Sequence, residues 1–207
     1  MTQIILARHG QTVFNKGEVF RGRIEIDLDE TGSKQADLLA DYLAGTKIEA
    51  IYCSPRQRAV KTAQAIARRQ QMEIQTVADI DDIGFGRWEG KTISRVREED
   101  NILFTQWVLT PHLVKLPGGE SLNELTVRAL AFVHEIVKKH QGTVVLVSHQ
   151  VVHKCLILAL LGLDNSHFWN IIMDTAAITT FSYQQNMFVL KEHNNVSYLK
   201  SLENPDS

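Results

Sequence analysis

Ile4-Ile5-Leu6-Ala7-Arg8-His9-Gly10 decides the fold. The unbroken apolar run reads as a strand buried on both faces, and the switch to Arg8-His9-Gly10 marks its carboxyl end. Open α/β sheets bind ligands at the carboxyl ends of their strands, so an imidazole and a guanidinium stand where a ligand would. A second junction of the same kind follows downstream, where Thr143-Val144-Val145-Leu146-Val147 delivers Ser148-His149. Two strand-end histidines can therefore face one another.

A third apolar run, Ile48 to Cys53, leads into Ser54-Pro55-Arg56-Gln57-Arg58-Ala59. Ser54 fits a helix N-cap, Pro55 the first helical position and Gln57 the third, which predicts a capping box. Arg58 then lies one turn in, where its fork reaches an anion held at the helix N-terminus. On its own, Arg58 also fits the solvated face of a helix that carries Lys61, Arg68 and Arg69.

Outward from these runs the chain alternates strands with helical patterns. Asp29 to Gly45 reads as a helix with Ala36, Leu39 and Leu43 on one stripe. Ser121 to His140 is another, opened by a Ser121/Glu124 capping box and buried through Leu122, Leu125, Ala129, Phe132 and Ile136. Val151 to Leu163 reads as a buried helix ending near Gly162, followed by a terminal hairpin-like pair of strands. The pattern predicts an α/β fold, a three-layer α/β/α sandwich around a mostly parallel sheet. One domain spans 1–207, with the polar tail 203–207 frayed.

A net charge of −2 over 207 residues argues against a nucleic-acid binder. Cys53 and Cys155 lie in apolar contexts, which fits buried free thiols in a reducing, cytoplasmic setting. Met1-Thr2-Gln3 passes straight into the first strand, and no apolar stretch has membrane-spanning length.

The ordered set Arg8-His9-Gly10-Gln11-Thr12, Asn15, Ser54 to Ala63, Gly86-Arg87-Trp88-Glu89-Gly90, Pro117-Gly118-Gly119-Glu120-Ser121 and Ser148-His149 resembles the histidine phosphatase superfamily, the phosphoglycerate-mutase-like proteins. The resemblance implies a phosphohistidine mechanism without metal or other cofactor. It implies His9 as nucleophile, Arg8, Arg58 and His149 completing the phosphate pocket, and Asn15 as a further phosphate contact; Gly10, beside the nucleophile, is a candidate with it. The chemistry suits these residue types: neutral imidazole attacks phosphorus, and fixed cations hold the charge on the transferring oxygens.

The leaving alkoxide needs a proton. Relatives usually carry a glutamate four residues before the glycine of Gly-x-Trp-Glu-Gly, and that position here is Asp82, with Asp81 and Asp79 as rivals. Gln150 stands where relatives often have glycine, and is placed to narrow the pocket or bond substrate. Arg21 and Arg23, in the polar loop from Phe14 to Glu30, are candidates for a substrate carboxylate or second phosphate. Trp107 to His112 is expected over the pocket, and Trp88 as packing.

His149-Gln150-Val151-Val152-His153 has the i, i+4 spacing of a zinc-binding helix, but Gln150 lacks the carboxylate that zincin chemistry uses. The expected activity is hydrolysis of a small phosphorylated metabolite. The alternatives are a phosphoglycerate-type mutase, a phosphoprotein-directed phosphatase and a phospho-binding module on the same fold. The short Asp82 to Pro117 segment, compared with the longer one of mutases, favours the phosphatase. Segments also resemble both metal-independent phosphoserine phosphatases and α-ribazole phosphatases, and some relatives form homodimers.

Overall fold

The computed structural model describes residues 1–203. Its strands are β1 (Thr2–Arg8), β2 (Ile48–Cys53), β3 (Ile74–Thr76), β4 (Thr143–Ser148), β5 (Ile178–Gln184) and β6 (Met187–Asn195). The helices are α1 (Val13–Lys16), α2 (Glu30–Tyr42), α3 (Gln57–Gln70), α4 (Ile93–Glu99), α5 (Asn101–Leu109), α6 (Leu122–Lys139), α7 (Gln150–Leu160) and α8 (Lys200–Glu203). The strands form one sheet in the order β3-β2-β4-β1-β5-β6. β1 to β4 are parallel, and the β5–β6 hairpin adds antiparallel strands beside β1.

Both faces of the sheet are buried, which explains the unbroken apolar runs. Ile4, Leu6, Tyr52, Val144 and Leu146 point to one side, against Leu125 and Ile136 of α6 and Leu156 of α7. Ile5, Ala7, Ile51, Val145 and Val147 point to the other, against Leu39 of α2 and Ile66 of α3. Each buried Ile, Leu or Val among them contributes about 1.5–3 kcal/mol by leaving water. The result is the expected three-layer sandwich.

Register places the site. Ala7 pairs with Val147 and Arg8 with Ser148, so β1 and β4 end level with one another. The His9 amide donates to the Ser148 carbonyl at 3.0 Å, and the two strand-end histidines leave the sheet side by side.

The helix ends carry one correction. α3 is capped by Arg56 and begins at Gln57, so the Ser54/Gln57 capping box does not form. The Ser54 hydroxyl is buried and turned toward the other strand end instead. At α6 the reading holds, with Ser121 and Glu124 bonded reciprocally at 3.2 and 2.9 Å. Thr92 to Pro117 holds two helices, α4 and α5, followed by a single 3₁₀ turn at Pro111–Leu113. Glu203 closes α8, and the rest of the expected frayed tail, 204–207, lies outside the described residues. No helix of the described residues is long and apolar enough to cross a membrane.

Candidate active site

A cavity of about 300 Å³ opens over the carboxyl ends of β1 and β4. One end is polar, lined by Arg8, His9, Asn15, Arg21, Asp82 and His149. The rest is largely aromatic, with Phe85, Phe104, Trp107, Phe168 and Trp169 on its walls. Trp107 thus overhangs the site as expected, whereas His112 is not in the lining. Trp88 is 1 % exposed, packs on Phe20 and Trp107, and donates its indole N–H to Asp100 at 2.8 Å.

His9 and His149 have ring centroids 5.2 Å apart. His9 Nδ1 lies 2.7 Å from the Gly10 carbonyl, which only accepts, so Nδ1 carries the hydrogen and Nε2 keeps its lone pair. Burial, reinforced by the Arg58 and Arg8 charges, holds the His9 pKa well below the ordinary imidazole value. The ring is neutral at physiological pH, with a lone pair on Nε2.

His149 is oriented from both sides. Its Nδ1 accepts from Arg58 Nε at 3.2 Å, which leaves Nε2–H to donate to Ser54 Oγ at 2.7 Å. Ser54 Oγ donates in turn to Asp81 Oδ1 at 3.2 Å. Burial first, and then Arg58, keeps this imidazole neutral as well. Ser54 as the orienter of His149 was missed in the sequence, where its position before Pro55 fitted a helix cap.

The two aspartates are sorted by their partners. Asp81 is gripped by Arg56 through Nε at 2.8 Å and Nη2 at 2.6 Å. Burial pushes Asp81 up, but Arg56 and the Asp82 amide more than offset it, and its pKa lies below the usual carboxylate value. Asp82 lines the cavity; burial raises its pKa while Arg58 and Arg21 pull the other way. Its Oδ2 accepts from Arg58 Nη2 at 2.9 Å and lies 3.4 Å from His149 Nδ1.

Arg58 is fully buried and stands behind the cavity wall, holding the Gly22 and Ile24 carbonyls at 2.7 and 2.9 Å. The guanidinium groups in the lining are Arg8 and Arg21. Arg8 Nη1 donates to the Met173 carbonyl at 2.5 Å, while Arg8 Nε and Arg21 Nη1 are buried without partners among the described residues. Two buried guanidinium donors without a protein partner among the described residues suit an anion at this end of the cavity. Burial and the nearby Arg21 charge pull the Arg8 pKa down to about 9.

The remaining candidates divide. Asn15 and Gln150 line the cavity, Asn15 with its Oδ1 held by the Thr12 amide at 2.9 Å and Gln150 with its Nε2 3.3 Å from the Met173 carbonyl. Gly10 is not in the lining: its amide donates to Thr62 Oγ1 at 3.1 Å, and its direct link to the site is the carbonyl that sets the His9 tautomer. Arg23 is exposed and bonds the Asp82 carbonyl at 3.1 Å and Glu120 at 3.2 Å. His149 caps α7 with extended backbone, while His153 lies within the helix and donates Nε2–H to the Ala7 carbonyl at 3.0 Å. These two rings do not share a helical face. Lys154, also in the lining, was passed over in the sequence, although a lysine inside the apolar run Val151 to Leu161 was a visible signal.

Facing histidines, unpartnered guanidinium donors and a buried carboxyl at the parallel strand ends define a phosphoryl-transfer site. The histidine phosphatase superfamily (branch 1) profile matches residues 4–196, and the chain belongs to that family. It is 36% identical over 200 residues to phosphoserine phosphatase 1 of Hydrogenobacter thermophilus, a match covering 96% of this chain and 95% of the relative. YhfR of Bacillus stearothermophilus superposes with a TM-score of 0.92 at 31% identity, over 96% of this chain and 100% of that one. A histidine-to-alanine variant of phosphoserine phosphatase from Entamoeba histolytica, in complex with phosphoserine, superposes with a TM-score of 0.86 at 29% identity, over 96% of this chain and 100% of that one. The chain is a phosphatase, a phosphoric monoester hydrolase of the histidine phosphatase superfamily.

Proposed function

We propose that the protein hydrolyses a small phosphorylated metabolite through a phosphohistidine on His9 Nε2, without a metal. The observation that carries this reading is the His9 tautomer: Nδ1–H is committed to the Gly10 carbonyl, and the bare Nε2 belongs to a ring in the lining beside unpartnered Arg8 and Arg21 donors. The phosphate dianion binds to those donors, with Asn15 and Gln150 beside it. Its charge also favours protonation of His149, another lining residue, which then donates to the phosphoryl group.

In the first step the Nε2 lone pair forms the N–P bond as the ester P–O bond breaks, and protonated Asp82 gives its proton to the leaving alkoxide. In the second, Asp82 carboxylate takes a proton from water, whose oxygen bonds phosphorus as the N–P bond breaks. Inorganic phosphate leaves, and His9 and the Asp82 acid are restored. Fixed cations around the transferring oxygens supply the electrostatic stabilisation in both steps.

The test is phosphate release from phosphoserine, 3-phosphoglycerate, α-ribazole phosphate and sugar phosphates in the presence of chelator, with alkali-quenched protein assayed for phosphohistidine. We expect turnover insensitive to chelator and an acid-labile phosphoryl group on His9, both lost in His9→Ala. Full turnover by His9→Ala would overturn the phosphohistidine route.

A further inference from the structure

Lys154 lies on α7, one turn beyond Gln150, and lines the same cavity while only 6 % exposed. Its ammonium sits 4.5 Å from the centroid of the Phe168 ring and 4.9 Å from that of Trp169. Among the described residues no carboxylate pairs with it. The ionisable groups around it are the Arg8 guanidinium and the Cys155 thiol, and burial pushes that thiol up to about 12, so it stays neutral. Ring faces offset part of the cost of burying an ammonium, but a desolvated charge without a counter-ion remains expensive.

The walls around Lys154 narrow the choice of ligand. Past the phosphate end the lining is chiefly Phe85, Ile93, Phe104, Trp107 and Val108. A hydroxyl-rich sugar would bury its hydroxyls there without partners, which costs binding. An apolar body ending in an anion would satisfy both the rings and the ammonium.

Building on the phosphatase reading, we propose that Lys154, with Phe168 and Trp169, forms a second anion subsite. The preferred substrate is then a phosphomonoester that carries a further carboxylate or phosphate on a compact, largely apolar body. Burial first, then repulsion from Arg8, lowers the Lys154 pKa to about 8, so the ammonium remains mostly charged at neutral pH and is available to such a group.

The test compares wild type, Lys154→Met and Lys154→Arg on phenyl phosphate, 4-carboxyphenyl phosphate and propane-1,3-diyl bisphosphate. Lys154→Met is expected to lower kcat/KM about 10- to 100-fold, chiefly through KM, for substrates with the second anion, the range of a charged hydrogen bond. Phenyl phosphate should change less than about threefold on the same scale, and Lys154→Arg should restore most of the loss. Which of the two substrates with a second anionic group loses more tells carboxylate from phosphate as the group recognised. Equal losses on all three substrates, or none, would overturn the subsite. If wild type turned over none of them, the proposed small-phosphomonoester reading would fail. Calorimetric binding of phenyl and 4-carboxyphenyl phosphates would then decide the subsite: Lys154→Met must weaken the second alone, and any other pattern overturns it.

Discussion

Arg58 Nη2 donates to Asp82 Oδ2 at 2.9 Å with both side chains buried, so the carboxyl proposed as the acid is also the partner of an arginine. Burial raises the Asp82 pKa, while Arg58 and Arg21 lower it. A phosphate dianion bound nearby offsets those two arginines and shifts Asp82 toward its protonated form. In the proposed mechanism the acid is thereby armed by the substrate it protonates.

Asp82→Asn therefore separates the two chemical steps. An alkyl phosphate needs the proton to leave, and its kcat should fall about 10²- to 10⁴-fold, the usual contribution of a general acid. Para-nitrophenyl phosphate leaves without help, so His9 still becomes phosphorylated, but the intermediate loses the base that activates water. Stopped-flow traces of the variant should show a nitrophenolate burst of one equivalent followed by a slow steady state. Unchanged alkyl phosphate turnover would remove Asp82 from the acid role.

Burial and the Arg58 and Arg8 charges keep His9 neutral, which predicts its titration directly. Nitrogen-resolved NMR of the free enzyme at pH 6 should show His9 as a neutral ring protonated at Nδ1, with Nε2 bare. A charged imidazolium at that pH would contradict the geometry at Gly10. Phosphate binding should act in the opposite direction on His149, whose present neutrality depends on burial and Arg58.

The buried strands and their polar ends were legible because both sheet faces are covered, leaving apolar runs with sharp terminations at Arg8, Cys53 and Ser148. Parallel pairing of β1 with β4 then brings His9 and His149 together without further information. Asp82 could be separated from Asp81 only in three dimensions, since their difference lies in the reach of Arg56 from another segment. Ser54 was misread for a related reason: its local context fits a cap, but a contact to His149, far along the chain, claims the hydroxyl. The aromatic wall was hidden because Phe85, Trp107 and Phe168 come from separate segments, none of which alone suggests a cavity.

Ser54→Ala tests the orientation of His149. The substitution leaves the buried Nε2–H without its 2.7 Å acceptor, a loss of about 1–3 kcal/mol for an unsatisfied donor. The variant should unfold at lower urea concentration, and kcat should fall while phosphate still binds through Arg8 and Arg21. Wild-type stability together with wild-type kcat would show that Ser54 does not hold the ring.

Gly10 is fixed by space as well as by its bonds. A Cβ placed there would stand 2.3 Å from the Gly32 carbonyl oxygen, at the contact between the His9 segment and α2. Backbone must shift to admit even alanine, and overpacking of this kind typically costs about 1–3 kcal/mol. Gly10→Ala should lower the urea midpoint and displace the carbonyl that sets the His9 tautomer, so activity should fall further than stability. A variant equal to wild type in both would contradict the close packing at Gly32.

His153 makes stability depend on pH in a defined window. The ring is fully buried, donates Nε2–H to the Ala7 carbonyl, and is held neutral by burial, with its pKa lowered from 6.5 to about 4. Below pH 6.5 the unfolded chain takes up a proton that the folded ring refuses, so stability is complete above that value and is lost as pH falls toward 4. The displacement corresponds to about 3 kcal/mol at roughly 1.4 kcal/mol per tenfold. His9 and His149 act in the same direction. His153→Gln keeps an N–H donor for Ala7 but does not titrate, so urea midpoints measured from pH 7 to pH 4 should fall less steeply than in wild type. Identical slopes would assign the acid sensitivity to other groups.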